Sequence, residues 1–166
     1  MDLKRICRHL VMTHWQVRRT FVPSTLRAIE TAITRSEKTH AGQIRVAVEG
    51  ALPSGALLRG QTASERAVEV FSLLRVWDTE HNNGVLIYVL LADRAVEIVA
   101  DRGIHTKVGT QEWAKVCHSM EVIFGQGRYL EGMEAGIRAV TDCLAKHFPA
   151  VDGELLGDLP DSPVLL

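Results

Sequence analysis

One ten-residue run constrains this chain more than any other feature: Gly84-Val85-Leu86-Ile87-Tyr88-Val89-Leu90-Leu91-Ala92-Asp93. It is half the length of the ~20 apolar residues that a membrane-crossing helix needs. β-Branched and aromatic side chains are frequent in it. Turn formers bound it, Asn82-Asn83-Gly84 before and Asp93-Arg94 after. A short run that is apolar on both alternating faces belongs in the middle of a sheet, with helices above and below. The rest of the chain is expected to cover this strand.

The flanking segments supply its neighbours. Residues 43–49 alternate, with Ile44, Val46 and Val48 on one face, and read as a first strand. A loop over 51–61 follows. Thr62-x-x-Glu65 is then a capping box that opens a helix carrying Ala67, Val70, Phe71, Leu74 and Trp77 at helical spacing. Strand, helix, strand makes a right-handed parallel crossover. Residues 95–100 form a third strand, and the short linker before it forces an antiparallel hairpin. Pro23 and Ser24 open a helix running to about Ser36. Trp113, Val116, Cys117, Met120 and Phe124 line another. Leu130, Met133, Ile137, Val140 and Leu144 line a last one, which stops near Phe148-Pro149. The expected fold class is α/β: a mixed sheet with a parallel βαβ crossover and a β-hairpin, sandwiched between α-helices.

Three segments follow from this pattern. Residues 1–20 form a basic helix, with Leu3, Ile6, Leu10 and Val17 roughly on one side and Lys4, Arg5 and Arg8 elsewhere. The plain expectation is a surface helix docked through its apolar side; the alternative is a membrane-surface or partner helix. Residues 21–149 form the α/β domain. Residues 150–166 hold Asp152, Glu154, Asp158 and Asp161 with no Lys or Arg, and are expected to be a flexible acidic tail. Leu155-Leu156 and Val164-Leu165-Leu166 are its docking candidates.

Composition excludes some functions. The net charge of -1 argues against a nucleic-acid binder. Cys7, Cys117 and Cys143 have no paired spacing and read as reduced cysteines. With neither a signal peptide nor a transmembrane span, the expected location is cytoplasmic, and membrane contact is expected only through residues 1–20. The absence of GxGxxG, P-loop and HExxH patterns points away from a nucleotide or organic cofactor.

Topology assembles one candidate site. The first and central strands begin at the same sheet edge, and the third strand ends there. Loops 37–43, 78–84 and 101–105 therefore converge. They bring Glu37, His40, Gln43, Asp78, Glu80, His81, Asn82, Asn83, Asp101, Arg102 and His105 to one edge. Oxygen donors of this kind suit Ca²⁺ or Mg²⁺, and histidine would favour Zn²⁺. Arg102 could neutralise the carboxylates instead. The plain alternative is a set of ordinary turn and cap residues. Ligands of open α/β sheets usually bind at the opposite edge, the carboxyl ends of the parallel strands.

These segments resemble a known family. Glu37-x-x-His40-x-Gly42-Gln43-Ile44-Arg45, then Asn82-Asn83-Gly84-Val85-Leu86-Ile87-Tyr88, then Asp101-Arg102-Gly103-Ile104, Trp113 and Phe148-Pro149, are similar in order and spacing to the TPM domain. That family includes thylakoid-lumen proteins linked to photosystem II repair and many bacterial proteins; this chain looks like a short soluble branch. The resemblance implies an α/β sandwich, a divalent-cation site with Ca²⁺ foremost, and a weak acid phosphatase activity as claimed for plant members. By matching position it implies Glu37, Asn83 and Asp101 as the metal residues. Gln43 stands where relatives often have Glu, which removes one negative charge.

Three functions are open on this reading. One is a divalent-cation-binding accessory module for protein partners. Another is a metal-dependent phosphomonoesterase. The third is a peripheral adaptor that uses the basic first helix on a membrane or an acidic partner.

Overall fold

The computed structural model describes residues 3–150 and 159–166. Among these residues a four-stranded sheet runs in the order β3-β2-β1-β4. The strands are β1 (Gln43–Glu49), β2 (Gly84–Leu90), β3 (Ala95–Ala100) and β4 (Val164–Leu165). β1 and β2 are parallel, in register from Gln43↔Gly84 to Glu49↔Leu90. β3 returns antiparallel along β2. Every residue of β2 is buried, as its composition requires.

Alternation along the strands sorts the core into two layers. Ile44, Val46, Val48, Val85, Ile87 and Val89 face α3 (Pro23–Ser36), α7 (Thr110–Gly125) and α8 (Tyr129–His147), meeting Ile29, Ile33, Met120, Ile137 and Leu144. Ala47, Leu86, Tyr88 and Leu90 face α4 (Ser54–Leu58) and α5 (Ala63–Leu73), meeting Leu57, Ala67, Val70 and Phe71. Each fully buried aliphatic contributes about 2 kcal/mol, so both layers are needed to hold β2 in place. Where β1 carries charge toward the second layer, the charge is met. Glu49 accepts from Arg66 Nε at 2.9 Å and from the Tyr88 hydroxyl at 2.6 Å. Burial, then the Glu49 carboxylate, pushes the Tyr88 phenol up.

The structure differs from the sequence expectation in five places. The first helix is two, α1 (Leu3–Val11) and α2 (His14–Thr20). Thr13 caps α2, with Gln16 reaching back to the Thr13 amide at 2.8 Å. α1 also docks by its polar side. Arg5 places Nη2 2.8 Å from Asp93 Oδ2 and 2.7 Å from the Gln61 carbonyl. His9 Nδ1 accepts from the Leu52 amide at 3.0 Å, which leaves Nε2–H to donate to Asp93 Oδ1 at 3.0 Å. Burial pushes the Asp93 carboxyl up, but the bonds from Arg5 and His9 and their charges prevail and hold it below the usual range. Of the residues expected on the inward side, Val17 is buried and Ile6 half-buried, but Leu3 and Leu10 are each 72% exposed; Val11 and Trp15 are also exposed, at 67% and 65%.

The expected 51–61 loop contains α4. α5 stops at Leu73 and not at Trp77, because Arg75 takes φ 53° and the amides of Arg75 and Val76 bond back to Ser72 and Phe71. That pair of bonds is a Schellman ending, and it sends Val76 into the core while Trp77 stays half-exposed. A short α6 (Arg102–Val108) follows β3. Finally, residues 159–166, expected within a flexible tail, lie along β1, and the docking candidate Val164-Leu165-Leu166 is what pairs: β4 runs parallel to β1, and the Leu166 amide bonds to the Val48 carbonyl. Leu155 and Leu156 lie outside the described residues.

Cys117 is half-buried, and burial pushes its thiol up to about 12. Cys143 is also half-buried and its thiol is raised, first by burial. Cys7 is exposed. No helix among the described residues is long and apolar enough to cross a membrane.

Candidate functional site

The three loops do meet at one edge of the sheet, and backbone groups join them. The Gln43 amide bonds to the Asn83 carbonyl, and the Asp101 amide to the Gly84 carbonyl at 2.9 Å. Gly103 lies so close to the second loop that a Cβ there would sit 2.5 Å from the Asn82 carbonyl oxygen. Asn83 is the centre of this junction. It is buried, its Nδ2 donates to the Ala41 carbonyl at 3.1 Å, and its amide bonds to the Thr79 hydroxyl.

Strand order spreads the remaining residues along this edge. Asp101 stands at the end of β3, Asn83 before β2, Gln43 at the start of β1, and the segment leading into β4 beyond. Neighbouring strands are about 4.8 Å apart, so the ends of the row are separated by roughly 14 Å. Glu37 belongs to the β4 end. It follows α3, is buried, and shares a hydrogen bond with Asp161, to which Thr34 also donates. Burial first, and then Asp161, raise the Glu37 carboxyl from 4.5 to about 7. Its Oε1 is buried without a partner among the described residues. Arg45 lies beside the same segment and donates to the carbonyls of Pro160 and, at 2.8 Å, Ser162. Gln43 accepts from the Leu159 amide at 3.2 Å. The position where the resemblance expects an acid thus holds the tail segment.

His40 is fully buried. Its Nδ1–H donates to the Gly42 carbonyl at 3.0 Å, burial lowers its basicity, and Nε2 has no partner among the described residues. Asp78 and His81 are exposed, and His105 is half-buried on α6. Asn82 takes φ 52°, an αL position that asparagine tolerates, and its Oδ1 accepts from Arg102 Nε at 3.2 Å. Asp101 caps α6, with Oδ1 accepting from the Arg102 amide at 2.6 Å. Its Oδ2 is buried with no hydrogen-bond donor among the described residues.

Among the described residues no three His, Cys, Asp or Glu side chains lie close enough to share an ion. Asn83 and Asp101 are brought together, and Glu37 is directed elsewhere. What remains there without a donor among the described residues is Asp101 Oδ2. One carboxylate oxygen fits a weakly held, largely hydrated divalent ion, not a dedicated cage of six to eight ligands.

Sequence reasoning passed over the opposite edge, where Arg94 and Glu121 line a cavity beside Leu91, Phe124 and Tyr129. The signal available was the general preference of ligands for the carboxyl ends of parallel strands.

Comparison with known proteins places this geometry. The chain resembles the BA42 protein of the psychrophilic bacterium Bizionia argentinensis, solved by NMR, at 31% identity and a TM-score of 0.74, over 86% of this chain and 92% of that one. It has the fold of the N-terminal domain of a P. gingivalis protein, at 19% identity and a TM-score of 0.60, over 78% and 81% of the two chains. No curated protein sequence matches. The TPM domain family matches over residues 17–143, most of the chain, and the protein belongs to that family.

Proposed function

We propose that this TPM domain is an accessory interaction module that docks an acidic protein surface through α1 and α2. The observation that carries the reading is the exposure of Leu3, Leu10 and Val11 on α1 and of Trp15 on α2. A surface helix normally turns such side chains inward. Here Arg5 and His9 occupy the inward face on Asp93, so among the described residues nothing covers the apolar side. Contiguous apolar surface rimmed by charge marks interaction sites. Arg8, Arg18 and Arg19 are exposed beside it and complement negative charge. Arg19 stacks over Trp15 at 5.2 Å, and both are residue types that concentrate interface energy.

The test is crosslinking in cells with wild type and with Leu10→Asp/Trp15→Ser, which leaves the buried contacts intact. The variant is expected to melt at the wild-type temperature and to lose the partner. The same partner on both forms defeats the reading. Pelleting of wild type with phosphatidylglycerol vesicles would assign the face to a membrane.

The partnerless Oδ2 of Asp101 favours a second reading, a weakly held Ca²⁺ or Mg²⁺ at the loop edge. Calorimetric titration of chelator-treated protein tests it: heat lost in Asp101→Asn supports it, and no heat in wild type ends it. A bound ion would supply the Lewis acid that a phosphomonoesterase needs. Phosphate release unchanged in Asp101→Ala would remove this edge from any such reaction.

A further inference from the structure

The carboxyl end of β2 holds a cavity of about 240 Å³ lined by Val89, Leu91, Arg94, Glu121, Phe124 and Tyr129, among others. This is the sheet end where α/β folds usually place ligands. Its aromatic wall is set in place: Tyr129 packs on Phe124 at 5.1 Å and edge-on to Phe21 at 5.8 Å. Its acidic group is fixed as well. Glu121 Oε1 accepts from the Val96 amide at 3.0 Å, and Oε2 has no partner among the described residues. Val96 lies two residues beyond Arg94, about 7 Å of extended chain.

Arg94 is the cation of this cavity, and it borders the two adjoining grooves under α1 and α2 as well. It is exposed, and among the described residues it has no carboxylate partner. Its φ of 55° lies in the left-handed region, which an arginine enters only against strain.

Size and charge together select a ligand class. Pockets for drug-sized molecules start near 300 Å³, so this cavity suits something smaller. A simple anion would meet Glu121, and a simple cation would meet Arg94. An uncharged apolar molecule would strip water from both charges without replacing it. A molecule with one carboxylate, one ammonium and an apolar body satisfies all three walls. We infer that this cavity binds a free α-amino acid with an aliphatic or aromatic side chain, its carboxylate on Arg94, its ammonium on Glu121 and its side chain against Leu91, Phe124 and Tyr129. This site is separate from the loop edge and does not depend on the docking role of α1.

Calorimetry with L-phenylalanine, L-leucine, N-acetyl-L-phenylalanine and 2-phenylethylamine tests it on the intact chain. One of the two free amino acids is expected to bind. Each phenylalanine analogue lacks one charged contact and is expected to bind roughly tenfold or more weakly than phenylalanine. Arg94→Asn tolerates the left-handed turn, so it is expected to fold with an unchanged or higher melting temperature and to lose binding by a similar factor. Glu121→Gln keeps an acceptor for Val96 and is expected to erase the preference for the free amino group. No heat from either amino acid at millimolar concentration overturns the inference. So does equal binding of the acetylated analogue by wild type, or full binding by a folded Arg94→Asn.

Discussion

Glu37→Gln is expected to leave stability unchanged near pH 5 and to raise it near pH 8, and the reason is the carboxyl pair at the tail. Glu37 is buried and bonded to Asp161, and its carboxyl is raised from 4.5 to about 7. In the unfolded chain the proton leaves near 4.5; in the folded chain it stays to about 7. Between these values the native state binds a proton that the unfolded state does not, so stability falls as pH rises through that window. The contribution is fully present below 4.5 and gone above about 7. A shift of this size corresponds to about 3 kcal/mol, and solvent reach at the sheet edge reduces the effective figure to about 1–2 kcal/mol. The variant's amide mimics the protonated acid at every pH, so its advantage over wild type should open between about pH 5 and pH 8 and reach that figure, or roughly 2–4 °C of melting temperature per kcal/mol.

Urea unfolding of both proteins across this range is the assay, read as the difference between them. The difference matters because His40 pulls the other way. Its basicity is lowered by burial, so the unfolded imidazole takes its proton first, and stability is lost as pH falls below about 6.5. That effect is common to both proteins and cancels. Arg45, beside Asp161, stays charged throughout. A gap that is flat with pH, or that widens toward acid, refutes the shared-proton account of Glu37 and Asp161.

Three further outcomes follow from contacts described above. Asp93→Ala removes the acceptor of Arg5 and His9 and should lower stability by about 3 kcal/mol in urea, with early loss of hydrogen-exchange protection over residues 3–20. Gly84→Ala would put a Cβ 2.0 Å from the Val76 carbonyl oxygen, backbone against backbone, and should destabilise by about 3 kcal/mol or prevent folding, seen in the urea midpoint and soluble yield. Deleting residues 159–166 uncovers the β1 edge and the Glu37 carboxyl, and should give self-association in sedimentation velocity together with a lower urea midpoint.

The sheet was legible because its signals are local. The apolar length of β2, the alternation of β1 and the short link into β3 are each contained within ten residues, and together they dictate one crossover and one hairpin. The break at Thr13 was legible too, as Thr13-x-x-Gln16, but a capping box inside a basic amphipathic stretch is easily read through. The orientation of α1 was not legible. A helix has the same moment whichever side faces in, and what turns it is Asp93, 84 residues from His9. Arg75 at a Schellman position lacks the glycine that usually marks one. The tail reads as solvated acid until Thr34, Glu37 and Arg45 are seen to receive it.

The two ends of the parallel strands differ in what their polar groups already do. At the amino end, Asn83, Gln43, Asn82 and one oxygen of Asp101 all hold backbone or a neighbouring side chain. Joining three loops requires such groups, because buried amides and carbonyls left unpaired cost about 1–3 kcal/mol each. A cluster of polar residues at converging loops is therefore what scaffolding alone would produce, and it looks the same in sequence as a binding site. A ligand needs donors and acceptors that the fold has not used. By that criterion Glu37 Oε1, His40 Nε2 and Asp101 Oδ2 are the candidates at the amino end, while at the carboxyl end Arg94 and Glu121 line a cavity with charge to offer. Convergence of polar residues identifies where loops meet; unused hydrogen-bonding capacity beside open volume identifies where a second molecule can.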